Sequence, residues 1–131
     1  MNTPAKPARY STPVTVEFED VDSFQIAHHT KLVAYLERAR VRYFHDKGVN
    51  VVGGNALPVL YHLDVTFKKT VTIMDLLDIQ VWVEKAETYK LSLAYHIFRK
   101  GELIAKASTV IAFIDAQTQK LTPVPRAFCE E

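Results

Sequence analysis

The chain has 131 residues, which is room for one domain with a single hydrophobic core. Apolar residues make up 48% of it and charged residues 24%, with four glycines and six prolines, so a disordered or collagen-like chain is excluded. Sixteen basic and fifteen acidic side chains give a net charge of +1, and this absence of a strong overall field argues against a nucleic-acid-binding protein.

The N-terminal residues are polar and contain three prolines, and we interpret residues 1–13 as a flexible arm before a single domain of residues 14–131. No apolar run in the sequence is long enough for a membrane span. The single cysteine, Cys129, cannot form an internal disulfide and favours a reducing compartment. We therefore expect a cytoplasmic protein.

The first half of the chain predicts one strand and one long helix. Val14, Val16 and Phe18 alternate with polar residues, as in a half-buried strand. Apolar residues then recur at helical spacing from about residue 30 to residue 47. Gly48 follows this segment and is suited to a left-handed cap at the helix end.

The second half predicts strands. Residues 61–68 and 77–84 alternate in polarity, and residues 89–99 and 102–115 form a longer pair joined by a turn at Lys100 and Gly101. The last of these strands is apolar on both faces, which predicts a place near the centre of the sheet. One helix against about five antiparallel strands makes an α+β domain, in which the sheet curls around the helix. An uncovered edge strand in such a sheet favours pairing with a second copy.

Two aspartates between the first strand and the helix are the best candidates for chemistry. Asp20 and Asp22 lie before a helix start, whose free amide hydrogens and positive dipole end can stabilise an oxyanion. An alternative stays open at this point, in which both carboxylates only bind backbone amides of the turn.

Other polar residues permit weaker interpretations. His28 and His29 are adjacent, so their side chains point in different directions, and orientation of a substrate or a water fits them better than metal binding. Glu37 and Arg40 can form a pair on the helix, which is either a structural bridge or part of the mouth of a site. The other histidines of the sequence receive no role.

The segment VEFEDVDSFQIAHHTKLVAYLERARVRYF resembles the N-terminal motif of the 4-hydroxybenzoyl-CoA thioesterase branch of hot-dog-fold proteins. In that family a strand ends in an Asp-x-Asp turn, a histidine follows, and a long helix carries an acidic residue before Ala-Arg. The matching positions here are Asp20, Asp22, His29, Glu37, Ala39 and Arg40. The segments LDVTFKKTVTIMDLLDIQVWVEK and KLTPVPRAF are similar to later parts of the family, so the resemblance covers residues 14–128.

The resemblance implies a hot-dog fold, assembled as a homodimer or homotetramer, that hydrolyses acyl-CoA thioesters at the subunit interface. Asp22 matches the catalytic nucleophile or general base, amides around residues 29–31 would polarise the thioester carbonyl, and His29 or Glu37 would assist with the water. The implied substrate-binding residues are Phe24, His28, Thr30, Lys31 and Lys90, the last of them for a CoA phosphate. No metal and no separate cofactor is implied, because CoA is part of the substrate.

Two other functions remain open. Phe24 and Gln25 stand where the family usually has small residues, often glycine, and Lys31 stands where it usually has a neutral amide. These differences motivate a non-catalytic hot-dog protein that binds an acyl-CoA or an acyl carrier. A hot-dog dehydratase or hydratase is the third hypothesis, although that chemistry generally requires a histidine paired with an acid across the interface.

Overall fold

The computed structural model describes residues 9–49 and 54–129, and its first strand begins earlier than the sequence pattern predicted. Strand β1 spans Tyr10–Thr15, so residues 10–13 belong to the sheet and the predicted arm is too long at this end. Residues 1–8 of that arm lie outside the described residues.

The predicted inward face of the first strand is correct only as far as residue 16. Val14 and Val16 are buried, whereas Phe18 is 81% exposed. The reason is a short 3-10 turn over Phe18–Asp20, which ends the period-two alternation just after the strand.

Helix α1 spans His29–Asp46, within one residue of the prediction at each end. Its buried side chains recur at spacings of three and four residues, as an apolar helix face requires: Leu32, Tyr35, Leu36, Ala39, Tyr43 and Phe44. After the helix, Gly48 has a φ of +80° and donates its amide to the His45 carbonyl at 2.9 Å, which is the predicted left-handed cap.

The remaining strands are β2 (Ala56–Phe67), β3 (Leu76–Ala86), β4 (Leu91–Arg99), β5 (Glu102–Asp115) and the short β6 (Leu121–Thr122). All pairs are antiparallel in the order β1-β3-β4-β5-β2, with β6 beside β5. Lys100 and Gly101 have positive φ values of 51° and 79°, as a two-residue hairpin turn needs. The α+β class and the interior position of β5 are confirmed.

One face of the sheet packs against α1 and forms the core. Alternate residues of the central strands are fully buried there, such as Ile79 on β3 and Tyr95 on β4. Helix residue Phe44 lies with its ring centroid 6.0 Å from that of Phe113 on β5 and 4.9 Å from that of Phe128. The helix is therefore the centre of the core, which holds its N-terminus in a fixed place relative to the sheet.

Strand β2 forms one edge of the sheet and is the least buried of the long strands. Its register against β5 shifts between Leu60 and His62, which makes Tyr61 the extra residue of a β-bulge. Val59, Leu60 and Tyr61 are 42%, 46% and 67% exposed. Within residues 9–49 and 54–129, no helix has the length and apolar character needed to cross a membrane.

Candidate active site

The segment between β1 and α1 folds back on itself as a small hairpin. Val21 and Ala27 form an antiparallel bridge, the Asp22 amide donates to the Ile26 carbonyl at 3.0 Å, and the Gln25 amide donates to the Asp22 carbonyl at 2.9 Å. Gln25 closes this turn with a φ of +64°, in the left-handed region that favours glycine. The hairpin pairs Asp22 with Ile26, three residues before the helix, whereas the Asp20 carbonyl accepts the His28 amide at the helix start.

One oxygen of the Asp22 carboxylate is fixed by the turn. Its Oδ1 accepts the Phe24 amide at 2.8 Å and the Ile26 amide at 3.2 Å, so the turn-binding interpretation of this residue is correct. The other oxygen, Oδ2, has no hydrogen bond to any of the described residues. The side chain is thus oriented through one oxygen while the second stays available.

Asp22 borders a cavity of about 370 Å³. The other lining residues come from the same loop and from the segment that pairs with it: Phe18, Val21, Ser23, Gln25 and Ile73. Phe24 is 80% exposed and does not line this cavity, so in the described part of the subunit its ring leaves the carboxylate accessible.

The first turn of α1 leaves two amides without a partner in the described chain. His28 is the residue before the helix, and its carbonyl accepts the Lys31 amide at 2.9 Å and the Leu32 amide at 3.3 Å. The amides of His29 and Thr30 have no such acceptor, as is usual for the first residues of a helix. The expectation of free amides over residues 29–31 is therefore wrong for Lys31.

Asp20, by contrast, is a buried structural residue, with 8% of its surface exposed. Its Oδ2 accepts the Tyr35 hydroxyl at 2.6 Å and the Glu17 amide at 3.1 Å, and Lys31 Nζ lies 3.7 Å from its Oδ1. Burial by itself would raise the pKa of Asp20, but the hydrogen bonds from Tyr35 and Glu17 hold it below its ordinary value. Asp20 thus ties the loop to the helix.

The two histidines lie on the surface at the helix start. His29 stacks on Phe67, the last residue of β2, with ring centroids 4.4 Å apart and an interplanar angle of 18°. His28, His29 and Thr30 are all exposed. Their side chains are therefore accessible from solvent beside the end of β2.

Glu37 is not close to the helix start in its own subunit. It lies eight residues after His29, which is about 12 Å along the helix axis. Its Oε2 is 3.7 Å from Arg40 Nη2, and its side chain is 69% exposed. The predicted pair of Glu37 and Arg40 therefore exists, but α1 does not bring it to Asp22.

Lys90 lies one residue before the strand in which it was predicted. It precedes β4, which begins at Leu91, and does not belong to the strand itself. Its Nζ lies 5.0 Å from the ring centroid of Tyr61 at the β2 bulge. The ammonium is exposed beside the open edge of the sheet.

Comparison with known proteins agrees with this architecture. A family model described as the thioesterase-like superfamily matches residues 16–131. This chain belongs to the thioesterase-like superfamily. Among curated relatives of this superfamily member, the acyl-CoA thioester hydrolase YbgC of Escherichia coli O6:H1 is 24% identical over 123 residues, covering 91% of this chain and 92% of YbgC.

Solved structures of thioesterases share the fold. The 1,4-dihydroxy-2-naphthoyl-CoA thioesterase Slr0204 from Synechocystis superposes with a TM-score of 0.83 at 17% identity, over 94% of this chain and 97% of that protein. The DHNA-CoA thioesterase from Staphylococcus aureus gives 0.82 at 24% identity, over 93% and 85%. The predicted hot-dog fold and the resemblance to thioester hydrolases are confirmed for this superfamily member.

The sequence did not identify the partners that hold the polar residues of this thioesterase-like domain. Tyr35 binds Asp20, and Tyr95 binds both Arg40 at 3.3 Å and Thr109 at 2.8 Å. Tyr35 follows Lys31 by four residues and shares its helix face, so a common partner could have been inferred. The sequence predicts only that Tyr95 is an inward-facing strand residue. Its hydrogen bond with Arg40 depends on the packing of β4 against α1.

Proposed function

We propose that this protein hydrolyses an acyl-CoA thioester with Asp22 as the nucleophile or general base. The observation that carries the proposal is that the two oxygens of the Asp22 carboxylate are bonded differently and that Asp22 borders a cavity. Oδ1 is fixed by two amides, whereas Oδ2 is unbonded among the described residues and belongs to a residue that borders a cavity. Superfamily membership supplies the reaction class.

Two routes are compatible with this geometry. In the first, Oδ2 attacks the thioester carbon, CoA leaves as the thiolate, and water cleaves the resulting anhydride. In the second, Oδ2 takes a proton from a water molecule that attacks the same carbon. In both, negative charge develops on the carbonyl oxygen, and the amides of His29 and Thr30 are the donors we assign to it.

The other predicted site residues are assigned to substrate binding around the reaction centre. His28, His29 and Thr30 line the approach to the helix start, where His29 would orient the water or the thioester. Lys31 is partly compensated by Asp20 at 3.7 Å, and Lys90 stands at the sheet edge for a CoA phosphate. Glu37 is too far along α1 to help Asp22 of its own subunit, so any role of it with water requires a second subunit.

We propose a homodimer joined along β2. This strand has twelve residues, forms an edge of the sheet, and exposes Val59, Leu60 and Tyr61. A long edge with exposed apolar side chains is a template for strand pairing, and pairing with its own copy is the simplest way to cover it. Such a dimer would bring a second subunit beside the cavity that α1 and β2 line.

The replacement Asp22→Asn tests the reaction directly. Asparagine retains a side-chain oxygen that accepts the Phe24 and Ile26 amides, so the turn is expected to survive while the basic oxygen is lost. We expect turnover of an accepted acyl-CoA to fall by roughly 10² to 10⁴, the contribution of a general base. The matched control is Glu19→Gln, an exposed acid of the same loop.

Thiol release across a panel of acyl-CoAs provides the assay, and the melting temperature reports on the fold. Unchanged turnover in a folded Asp22→Asn protein would remove Asp22 from the mechanism. Acyl-CoA binding without any thiol release by the wild-type protein would favour the non-catalytic alternative. The exposed position of Phe24 and the compensation of Lys31 by Asp20 both weaken the case for that alternative.

A further inference from the structure

Arg40 is a nearly buried cation with few partners. Its side chain is 12% exposed, on the face of α1 that turns towards the sheet. Nη1 donates to the Tyr95 hydroxyl at 3.3 Å, and Nη2 lies 3.7 Å from Glu37 Oε2, beyond hydrogen-bonding distance. Tyr95 also bonds Thr109 at 2.8 Å, so this hydroxyl is already shared.

The guanidinium therefore has N–H donors without an acceptor among the described residues. An arginine carries five N–H donors, and the described residues accept only one of them. Burying a charge is costly unless hydrogen bonds compensate it, and Glu37 is too exposed and too distant to do so fully. A ligand oxygen would accept from the guanidinium donors that the described residues leave without an acceptor.

Arg40 and Glu37 border a cavity of about 290 Å³ between α1 and β2. Its other walls are apolar: Val41, Phe44, Pro58, Leu60 and Ile111. This volume lies at the lower limit for small-molecule pockets, so it suits the end of a ligand rather than a whole acyl-CoA. The combination is an apolar chamber with one hydrogen-bond-donating cation on its wall.

Helix α1 and strand β2 run side by side from this cavity to the start of the helix. At one end His29 stacks on Phe67 of β2, and at the other end Leu60 of β2 faces the Arg40 cavity. Between them, Val33 on α1 and Leu63 on β2 are half-buried. Arg40 follows His29 by eleven residues, which is about 16 Å of helix.

We infer that the Arg40 cavity is a subsite for the distal end of the acyl group, selecting acyl chains that carry an oxygen acceptor, a hydroxyl or a carboxylate, at the end far from the thioester. This inference rests on the proposed thioesterase function, because it requires the acyl chain to run along α1 and β2 from the helix start to Arg40. The apolar walls take the methylene groups, and Arg40 binds the terminal oxygen.

The test compares acyl-CoAs of equal chain length that end in a methyl, a hydroxyl or a carboxylate group, over a range of lengths. We expect the wild-type protein to give a higher kcat/KM for the oxygen-ended substrates at the chain length that reaches from the helix start to Arg40. Arg40→Met should lower this preference roughly 10- to 100-fold, the effect of losing a charge-assisted hydrogen bond. Comparison of kcat/KM for the hydroxyl-ended and carboxylate-ended substrates shows whether charge or hydrogen bonding contributes more to the preference.

Arg42→Gln is the matched control, because Arg42 lies on the exposed face of the same helix. The preference should be unchanged in that variant. Arg40→Lys keeps the charge without the planar fork and should retain only part of the preference, which provides a second test if Arg40→Met does not fold. A wild-type preference for methyl-ended chains, or a preference unaltered in a folded Arg40 variant, would overturn the inference.

A separate binding measurement distinguishes this inference from the reaction itself. The methyl esters of the three acyl groups, which carry no carboxylate at the former thioester end, are titrated into the wild-type protein by calorimetry. Tighter binding of the two esters whose distal end is a hydroxyl or a carboxylate, lost in Arg40→Met, would support the subsite even if no acyl-CoA is hydrolysed. Equal binding of all three esters would reject the subsite even if Asp22 proves catalytic.

Discussion

Removal of the Tyr35 hydroxyl should destabilise the loop that holds the proposed catalytic residue. Tyr35 is 1% exposed, and its hydroxyl donates to Asp20 Oδ2 at 2.6 Å, which is a short bond to a buried carboxylate. Tyr35→Phe keeps the ring and removes only this donor. A hydrogen bond to a charged group contributes about 1.5–3 kcal/mol, and the Glu17 amide that remains on the same oxygen leaves the effect within that range.

Chemical denaturation measures this loss of unfolding free energy, and thermal melting should show a decrease of roughly 5–10 °C for a domain of this size. Tyr89→Phe is the matched control, because Tyr89 is 46% exposed and its hydroxyl has no hydrogen bond to the described residues. We expect the control to change stability by less than about 0.5 kcal/mol.

The difference in unfolding free energy between wild type and Tyr35→Phe should depend on pH in a defined direction. The pKa of Asp20 in the folded protein lies below its ordinary value of 3.8, so its contribution to stability is complete above that pH and is lost as the pH falls through the folded pKa. The gap between wild type and Tyr35→Phe should thus be full at neutral pH and shrink in acid. A Tyr35→Phe protein as stable as wild type at pH 7 would refute the reasoning.

Two further predictions concern the sheet. Leu60→Glu places a charge on the exposed edge strand β2, so light scattering should show a shift from dimer to monomer. The control is Glu84→Gln, on the outer face of β3, which should leave the measured mass unchanged. Gly101 has a φ of +79° with open space around its α-carbon, so Gly101→Ala should cost about 1 kcal/mol of stability from backbone strain alone, measured by denaturation.

Periodicity predicted most of the fold because each element has its own period. Residues such as Leu36 and Tyr43 predicted the helix, and Leu77 and Ile79 predicted β3. In each element the apolar residues of the sequence pattern are the ones that the structure buries. The start of β1 was missed because Pro13 is a typical loop residue. In this chain it lies in an edge strand, the one place in a sheet where proline is tolerated.

The candidate site was predictable only in part. The Asp-x-Asp pattern located the loop, but the alternation of strand β1 would have continued through Phe18. The 3-10 turn there is closed by a capping pair of Glu17 and Asp20, which strand periodicity does not reveal. Glu37 was placed near Asp22 by family resemblance, whereas the rise of the helix places Glu37 about 12 Å beyond His29 at the helix start. Pairs distant in sequence, such as Arg40 with Tyr95, depend on packing that no local pattern specifies.

The two aspartates show why neighbouring carboxylates acquire different roles. Asp20 ends the 3-10 turn and faces the helix, where Tyr35 and the Glu17 amide bind it within the protein. Asp22, two residues later, begins a reversed hairpin whose amides reach only one of its oxygens. Both carboxylates accept hydrogen bonds through one oxygen only, and Lys31 Nζ lies 3.7 Å from the second oxygen of Asp20. Their roles differ because Asp20 is buried and compensated within the protein, whereas Asp22 borders a cavity that leaves its second oxygen available.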